Sequence, residues 1–247
     1  KMEIIRDLVY DPKHPDRCTL DVYLPNENTG KLLVYIHGGG LESGDKSDFT
    51  FCAKELAGSG ISVASVNYRT YPEASFPQFI QDCARAIAYL TQNVERLGGI
   101  EELFIGGSSA GAYISMMLYF DRTYLQEVGL DPGIAKGYIF DAGQPTTHFR
   151  VLQERGDDPR LVRIDRAAPL FFIDRDIEDE ENLPRFLLVV AQDDLPNRLE
   201  QTYLLRRTML HFGYPEKNIA MHIFENSTHT SYIGSKEYLK LLVEFMK

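Results

Sequence analysis

Three cysteines, Cys18, Cys52 and Cys83, are all that 247 residues provide. They are odd in number, widely spaced and form no C-x-x-C pair. That excludes a disulfide framework and a zinc or dithiol redox motif. Each is expected to act as a small apolar packing residue. Long apolar runs are missing too: none approaches the ~18 residues of a membrane span. The segment KMEIIRDLVYD at the N-terminal end also lacks the apolar core of a signal peptide. A cytoplasmic location with no membrane partner is therefore the expectation. Positive charge is scarce, with 26 Lys and Arg against 36 Asp and Glu and a net charge of −10. Nucleic acid is excluded as a partner on that ground, because phosphate binding needs a concentrated basic patch. Neither an internal repeat nor a Pro/Gly/Ser linker interrupts the chain, and nothing in it specifies an oligomeric state.

What the chain does contain is an alternation of short apolar runs with amphipathic segments. CTLDVYLP (18–25) alternates apolar and polar positions and predicts a half-buried strand. KLLVYIH (31–37) and ISVASVNYR (61–69) are nearly continuous apolar or β-branched runs, as strands covered on both faces are. Further strands are expected at 103–107, 136–143, 185–192 and 218–225. Helices are expected at 48–60, 109–120, 198–212 and in the terminal SKEYLKLLVEFMK. Another follows the apolar stripe from Phe76 to Leu97, ended by Gly98-Gly99. Such alternation predicts one α/β domain over 1–247, with a mainly parallel sheet and helices on both faces. The rhythm breaks only at 144–184, a polar stretch carrying Pro145, Pro159, Pro169 and Pro184. It is expected to form a small cap rather than a second domain.

Inside this frame, Gly107-Ser108-Ser109-Ala110-Gly111 matches G-x-S-x-G with Ser109 at its centre. The match falls after a short strand and at the start of a helix, where a sharp turn lifts a serine hydroxyl out of the sheet. Residues two before and two after that serine must be small. Ser109 has glycine at both positions, whereas Ser108 has Gly106 and Ala110. Ser109 is therefore the expected nucleophile, and Ser108 a neighbour lining the pocket.

A serine needs an oxyanion site, a base and an acid. His37-Gly38-Gly39-Gly40 follows the strand at 31–37, and its glycines can turn backbone N–H groups toward a developing oxyanion. Gly39, Gly40 and the N–H of Ala110 are expected to form that hole, with His37 fixing the loop. Of six histidines, at 14, 37, 148, 211, 222 and 229, only His229 lies in a loop directly after a strand and before the last helix. It is the expected base, while His148, in the 144–184 excursion, is expected to touch substrate. Asp193 and Asp194 both follow the strand at 185–192, and either can orient the histidine; Asp174 and Asp176 lie in an acidic run that leads to no such edge.

Taken together, HGGGLESGDK (37–46), VNYRTYPEASFPQFIQDCARAIAYL (66–90), GGSSAG and Ala191-Gln-Asp-Asp194 resemble the HGGG-bearing esterase/lipase branch of the α/β-hydrolase fold, the hormone-sensitive-lipase-like and feruloyl-esterase-like group. The resemblance covers nearly the whole chain, and its G-x-x-D pattern favours Asp194 as the acid. Leu41 stands where many relatives carry an aromatic residue, and is expected at the substrate. Asn226-Ser227-Thr228 replaces a glycine-containing approach to the histidine.

The resemblance implies hydrolysis of a carboxylic ester through an acyl-enzyme, with Ser109 as nucleophile, His229 as base and Asp194 as orienting acid. It implies no metal and no organic cofactor. The polar cap points to small or soluble ester substrates. Amide hydrolysis, as in kynurenine-formamidase-like or serine-peptidase members, is an alternative on the same fold, and a non-catalytic binding protein is another.

Overall fold

The computed structural model describes residues 2–247, and Lys1 lies outside the described residues. Eight strands form one sheet: β1 (Glu3–Val9), β2 (Thr19–Leu24), β3 (Lys31–Ile36), β4 (Ile61–Val66), β5 (Glu102–Ser108), β6 (Ala135–Asp141), β7 (Arg185–Asp193) and β8 (Ile219–Thr228). Their order across the sheet is β1-β2-β4-β3-β5-β6-β7-β8. The first two strands are antiparallel to their neighbours, and all pairings from β4 and β3 onward are parallel. Helices α1 (Thr50–Gly58), α2 (Gln78–Gln92), α3 (Ala110–Phe120), α4 (Thr123–Gln126), α5 (Phe149–Glu154), α6 (Arg198–His211) and α7 (Lys236–Phe245) fill the connections.

Every residue of β4 is buried, as its unbroken apolar run requires. The core is double: one apolar cluster gathers α2, α3 and α6 residues on one face of the sheet, and the other gathers α1 and α7 residues on the opposite face. Helix α3 runs through the first with all eleven residues buried. That is the pattern of a helix apolar all round.

Three expectations are corrected. β1 was not foreseen, because EIIRDLV mixes charged and apolar residues and gains its place by pairing with β2. β2 is not half-buried: five of its six residues are buried. Asp21 survives there because the ammonium of Lys46 reaches it at 2.7 Å and Arg6 at 3.3 Å. Finally, α2 stops at Gln92 rather than at the glycine pair. The Asn93 side chain donates to the Tyr89 carbonyl at 2.7 Å, which takes over one of the helix's last acceptors.

All the parallel strands present their carboxyl ends on one edge, where sheets of this kind place ligands. The segment between β6 and β7 holds α5 and a short 3-10 turn, Pro169–Phe172. It is pinned by the Tyr113 hydroxyl, which donates to the Ala167 carbonyl at 2.6 Å, and by Thr146, which donates to Gln201 at 3.0 Å. Among the described residues, no helix is long and apolar enough to cross a membrane.

Candidate active site

The turn from β5 into α3 is as tight as the G-x-S-x-G spacing demands. Ser109 has φ 55 and ψ −115, a conformation that L-residues avoid at a cost of about 1–3 kcal/mol. A Cβ on Gly107 or on Gly111 would overlap the carbonyl oxygen of Ile36 in the neighbouring strand. The two small positions are thus fixed by the passage of β3 alongside. The Asp141 carbonyl accepts the Ser109 N–H at 2.7 Å, which closes the turn onto β6.

Ser109 Oγ lies 2.8 Å from Nε2 of His229, and Nδ1 of His229 lies 2.6 Å from Oδ1 of Asp194. An acid at Nδ1 makes that nitrogen the donor, which leaves Nε2 free to accept the serine proton. The Asp194 side chain is fully buried, and its oxygens also accept the backbone N–H groups of Leu195 at 2.7 Å and Ala191 at 3.2 Å. Burial by itself would push its carboxyl up. The hydrogen bond and charge of His229, with the two amides, outweigh it and hold the group below the ordinary carboxylate range. Asp193 points elsewhere and is exposed, in register with Thr228. His229 directly follows β8 and is flanked by two residues of left-handed backbone, Asn226 (φ 51) among the strand's last residues and Thr230 (φ 56) just beyond. Asparagine tolerates this left-handed backbone better than most residues, and so it stands in for the missing glycine.

The glycine loop lies opposite. Gly39 has φ 120, and a Cβ there would overlap the Ser43 carbonyl; Gly40 has φ 63. Among the described residues, the N–H groups of Gly39, Gly40 and Ala110 have no hydrogen-bond partner within the protein. His37 braces the loop as expected. Its ring stacks on Tyr68 at 4.4 Å, its Nδ1 donates to the Gly38 carbonyl at 2.6 Å, and its carbonyl accepts the Tyr68 hydroxyl at 2.7 Å. Burial lowers its pKa to about 4, so it stays neutral. Arg17 adds a bond to the Gly44 carbonyl at 2.9 Å.

A cleft of about 670 Å³ joins these groups; its walls include Ser109, His229, Phe149, Leu195, Ile233 and Thr230. Ser108 lines it together with Tyr35 and Asp48. Two expected substrate contacts are not there. Leu41 is fully buried in the core, where its carbonyl accepts the Tyr71 N–H at 2.8 Å and its side chain anchors the loop. His148 is also buried, between Tyr113 and Phe149, and its Nδ1 caps α5 by accepting the Arg150 N–H at 3.1 Å. Desolvation keeps it uncharged, and it is its neighbour Phe149 that reaches the cleft. The sequence reading missed Phe149, Leu195 and Ile233, none of which carries a motif. Asp141, a buried carboxylate at the end of β6, carried no local signal either.

The sequence family BD-FAE matches residues 20–130, from β2 to beyond α4. A probable isoprenylcysteine alpha-carbonyl methylesterase from Oryza sativa subsp. japonica is 31% identical over 224 residues, which is 88% of this chain and 50% of that protein. The crystal structure of Esterase B from Lactobacillus Rhamnosis (HN001) superposes on the fold with TM-score 0.76 at 17% identity, over 99% of this chain and 85% of that one. The chain has the α/β-hydrolase fold. A second structure, propionate-bound esterase Est2 from the Planctomycetes species Thermogutta terrifontis, has TM-score 0.74 at 19% identity over 98% of this chain and 92% of that one. The chain spans at most half the length of the curated relatives it matches. Ser109 follows β5, and Asp194 and His229 follow β7 and β8, all at the carboxyl edge of the sheet.

Proposed function

We propose that the protein hydrolyses carboxylic esters of small or polar substrates, with Ser109, His229 and Asp194 as its triad. The observation that carries this reading is the continuous hydrogen-bonded line Ser109–His229–Asp194 at the wall of an open cleft, beside three unpartnered backbone N–H groups. Its relatives include esterases, and one fold neighbour holds propionate.

In the first half-reaction, Ser109 Oγ attacks the ester carbonyl as its proton passes to Nε2 of His229. The N–H groups of Gly39, Gly40 and Ala110 receive the oxyanion, each such donor being worth about 3–4 kcal/mol of barrier. The C–O bond to the alcohol then breaks, and His229 returns the proton to the leaving oxygen. Water, deprotonated by the same Nε2, cleaves the acyl-enzyme and releases the acid. Asp194 holds the histidine tautomer throughout. No metal or organic cofactor enters these steps.

Residues 1–247 act in this reading as one catalytic domain, with 144–184 as its cap. Polar groups on the cleft wall, Ser43, Asp48 and Thr230, favour short or soluble acyl and alcohol parts over long lipid chains. The buried, unpaired cysteines suit the cytoplasm, where thiols stay reduced. A fluorophosphonate should label one residue, Ser109, and p-nitrophenyl acetate should be cleaved faster than esters of twelve carbons or more. Labelling elsewhere, or a preference for the long chains, overturns the reading. Turnover of N-formylkynurenine in preference to every ester would replace it by the amide-hydrolase alternative.

A further inference from the structure

Asp141, at the end of β6, is a buried carboxylate that the steps above do not use. It accepts the Ser108 hydroxyl at 2.6 Å and the Tyr238 hydroxyl at 3.1 Å on Oδ2, and the Tyr232 hydroxyl on Oδ1. Ser108 in turn accepts the Tyr35 hydroxyl at 3.0 Å. Asp141 thus meets both halves of the catalytic pair. Ser108 precedes the nucleophile, and the Asp141 carbonyl itself holds the Ser109 N–H at 2.7 Å. Tyr232 lies three residues after His229 in the same loop, and its ring stacks on Phe224 of β8 at 4.2 Å.

We propose that Asp141 is a positioning residue whose carboxylate joins the serine turn to the histidine loop and so sets the approach of His229 to Ser109. The inference rests on Ser109 being the nucleophile.

Three O–H donors converge on the two oxygens of a side chain with no exposed surface. An unpaired buried donor is costly, so the three hydroxyls and the carboxylate hold one another in a single arrangement. Proton uptake breaks that arrangement, because a carboxyl O–H is a fourth donor where three already need acceptors. Burial raises the Asp141 pKa to about 6, which brings this event into the working range. The groups facing it are Tyr35 from β3, Tyr232 and His229 from the histidine loop, and Tyr238 from α7. Arg198 of α6 donates to the adjacent Ala142 carbonyl at 2.5 Å, and Cys52 of α1 lies near Tyr35 and Tyr238. Burial raises the pKa of all three tyrosines, so they remain donors.

The test compares wild type with Asp141→Asn, Tyr232→Phe, Ser108→Ala and the pairwise combinations. Each is assayed for p-nitrophenyl acetate hydrolysis from pH 5 to 9, for the rate of fluorophosphonate labelling, and for its melting temperature. Asp141→Asn should lower kcat and the labelling rate together by about 10- to 100-fold, with KM within about threefold. Tyr232→Phe should cost about 3- to 10-fold in wild type and less than about twofold in the Asp141→Asn background, since both act through one joint. The acid limb of kcat/KM should be steeper in wild type than in Asp141→Asn.

Should Asp141→Asn fail to fold, the Tyr232→Phe and Ser108→Ala pair carries the test through their less than multiplicative combination. Multiplicative effects, or kcat within twofold of wild type in a folded Asp141→Asn, overturn the inference. Wild type labelled at Ser109 with variants unaffected removes this inference alone. Wild type without a label removes the hydrolase reading, and this inference with it.

Discussion

The Nε2 of His229 stands 2.8 Å from the Oγ of Ser109, although 120 residues separate them in sequence. Replacing Ser109 by Ala should therefore abolish labelling and lower kcat/KM by about 10³-fold or more. The label should remain at residue 109 in Ser108→Ala. A Ser109→Ala protein that still turned over p-nitrophenyl acetate near the wild-type rate would place the nucleophile elsewhere.

The two adjacent aspartates should separate cleanly. Asp194→Asn removes the acceptor at His229 Nδ1 and should cost about 10³- to 10⁴-fold in kcat by stranding the wrong tautomer. Asp193→Asn alters an exposed side chain and should stay within about twofold. Steady-state kinetics of the pair decide the matter, and equal losses would refute the assignment.

Two glycine-to-alanine changes should move stability in opposite directions. Gly111→Ala drives a methyl into the Ile36 carbonyl and should destabilise the fold by about 3 kcal/mol or more. Gly58→Ala, at the end of α1 with open space around it, should gain about 0.5–1 kcal/mol. Thermal melts of both proteins check this, and a Gly111→Ala melting as wild type would mean that β3 does not pass as described.

The stability of the glycine loop after β3 should carry a defined pH signature at Asp45. Burial pushes its carboxyl up, yet bonds from Asn67 and Ser47 and the charge of Lys46 hold it at about 2, against an ordinary 3.8. A carboxylate depressed in the folded state stabilises above the unfolded value, and that contribution is lost as pH falls. The melting-temperature difference between wild type and Asp45→Ala should therefore be full above about pH 4 and shrink toward pH 2. The side chain is nearly half exposed, so the difference should be only a few degrees. A gap that widens on acidification contradicts the assignment.

Much of this molecule was legible in its sequence where one residue type has one reason to be present. The unbroken β4 run, the glycines flanking Ser109 and the loop position of His229 each answer a local demand of the backbone. Leu41 and His148 misled because a place after a motif, or in an excursion above the sheet, does not tell which way a side chain turns. Leu41 enters the core from a left-handed backbone, φ 64, and His148 spends its nitrogen on a helix cap. Asp141 could not be read at all. Its three hydroxyl partners come from positions 108, 232 and 238, and no local pattern links them. Asp21 likewise looked like a solvent-facing position until Lys46, 25 residues later, was found against it.

Ser109, Asp194 and His229 hang on separate strand ends, and each bond between them closes a loop of tens of residues or more. Such closures come late when a chain folds, because their entropy is recovered only once the intervening structure has formed. A half-assembled sheet therefore holds a serine with no base, and that serine is no better a nucleophile than any other alcohol. The reactivity proposed for Ser109 is thus a property of the completed sheet and of no part of it.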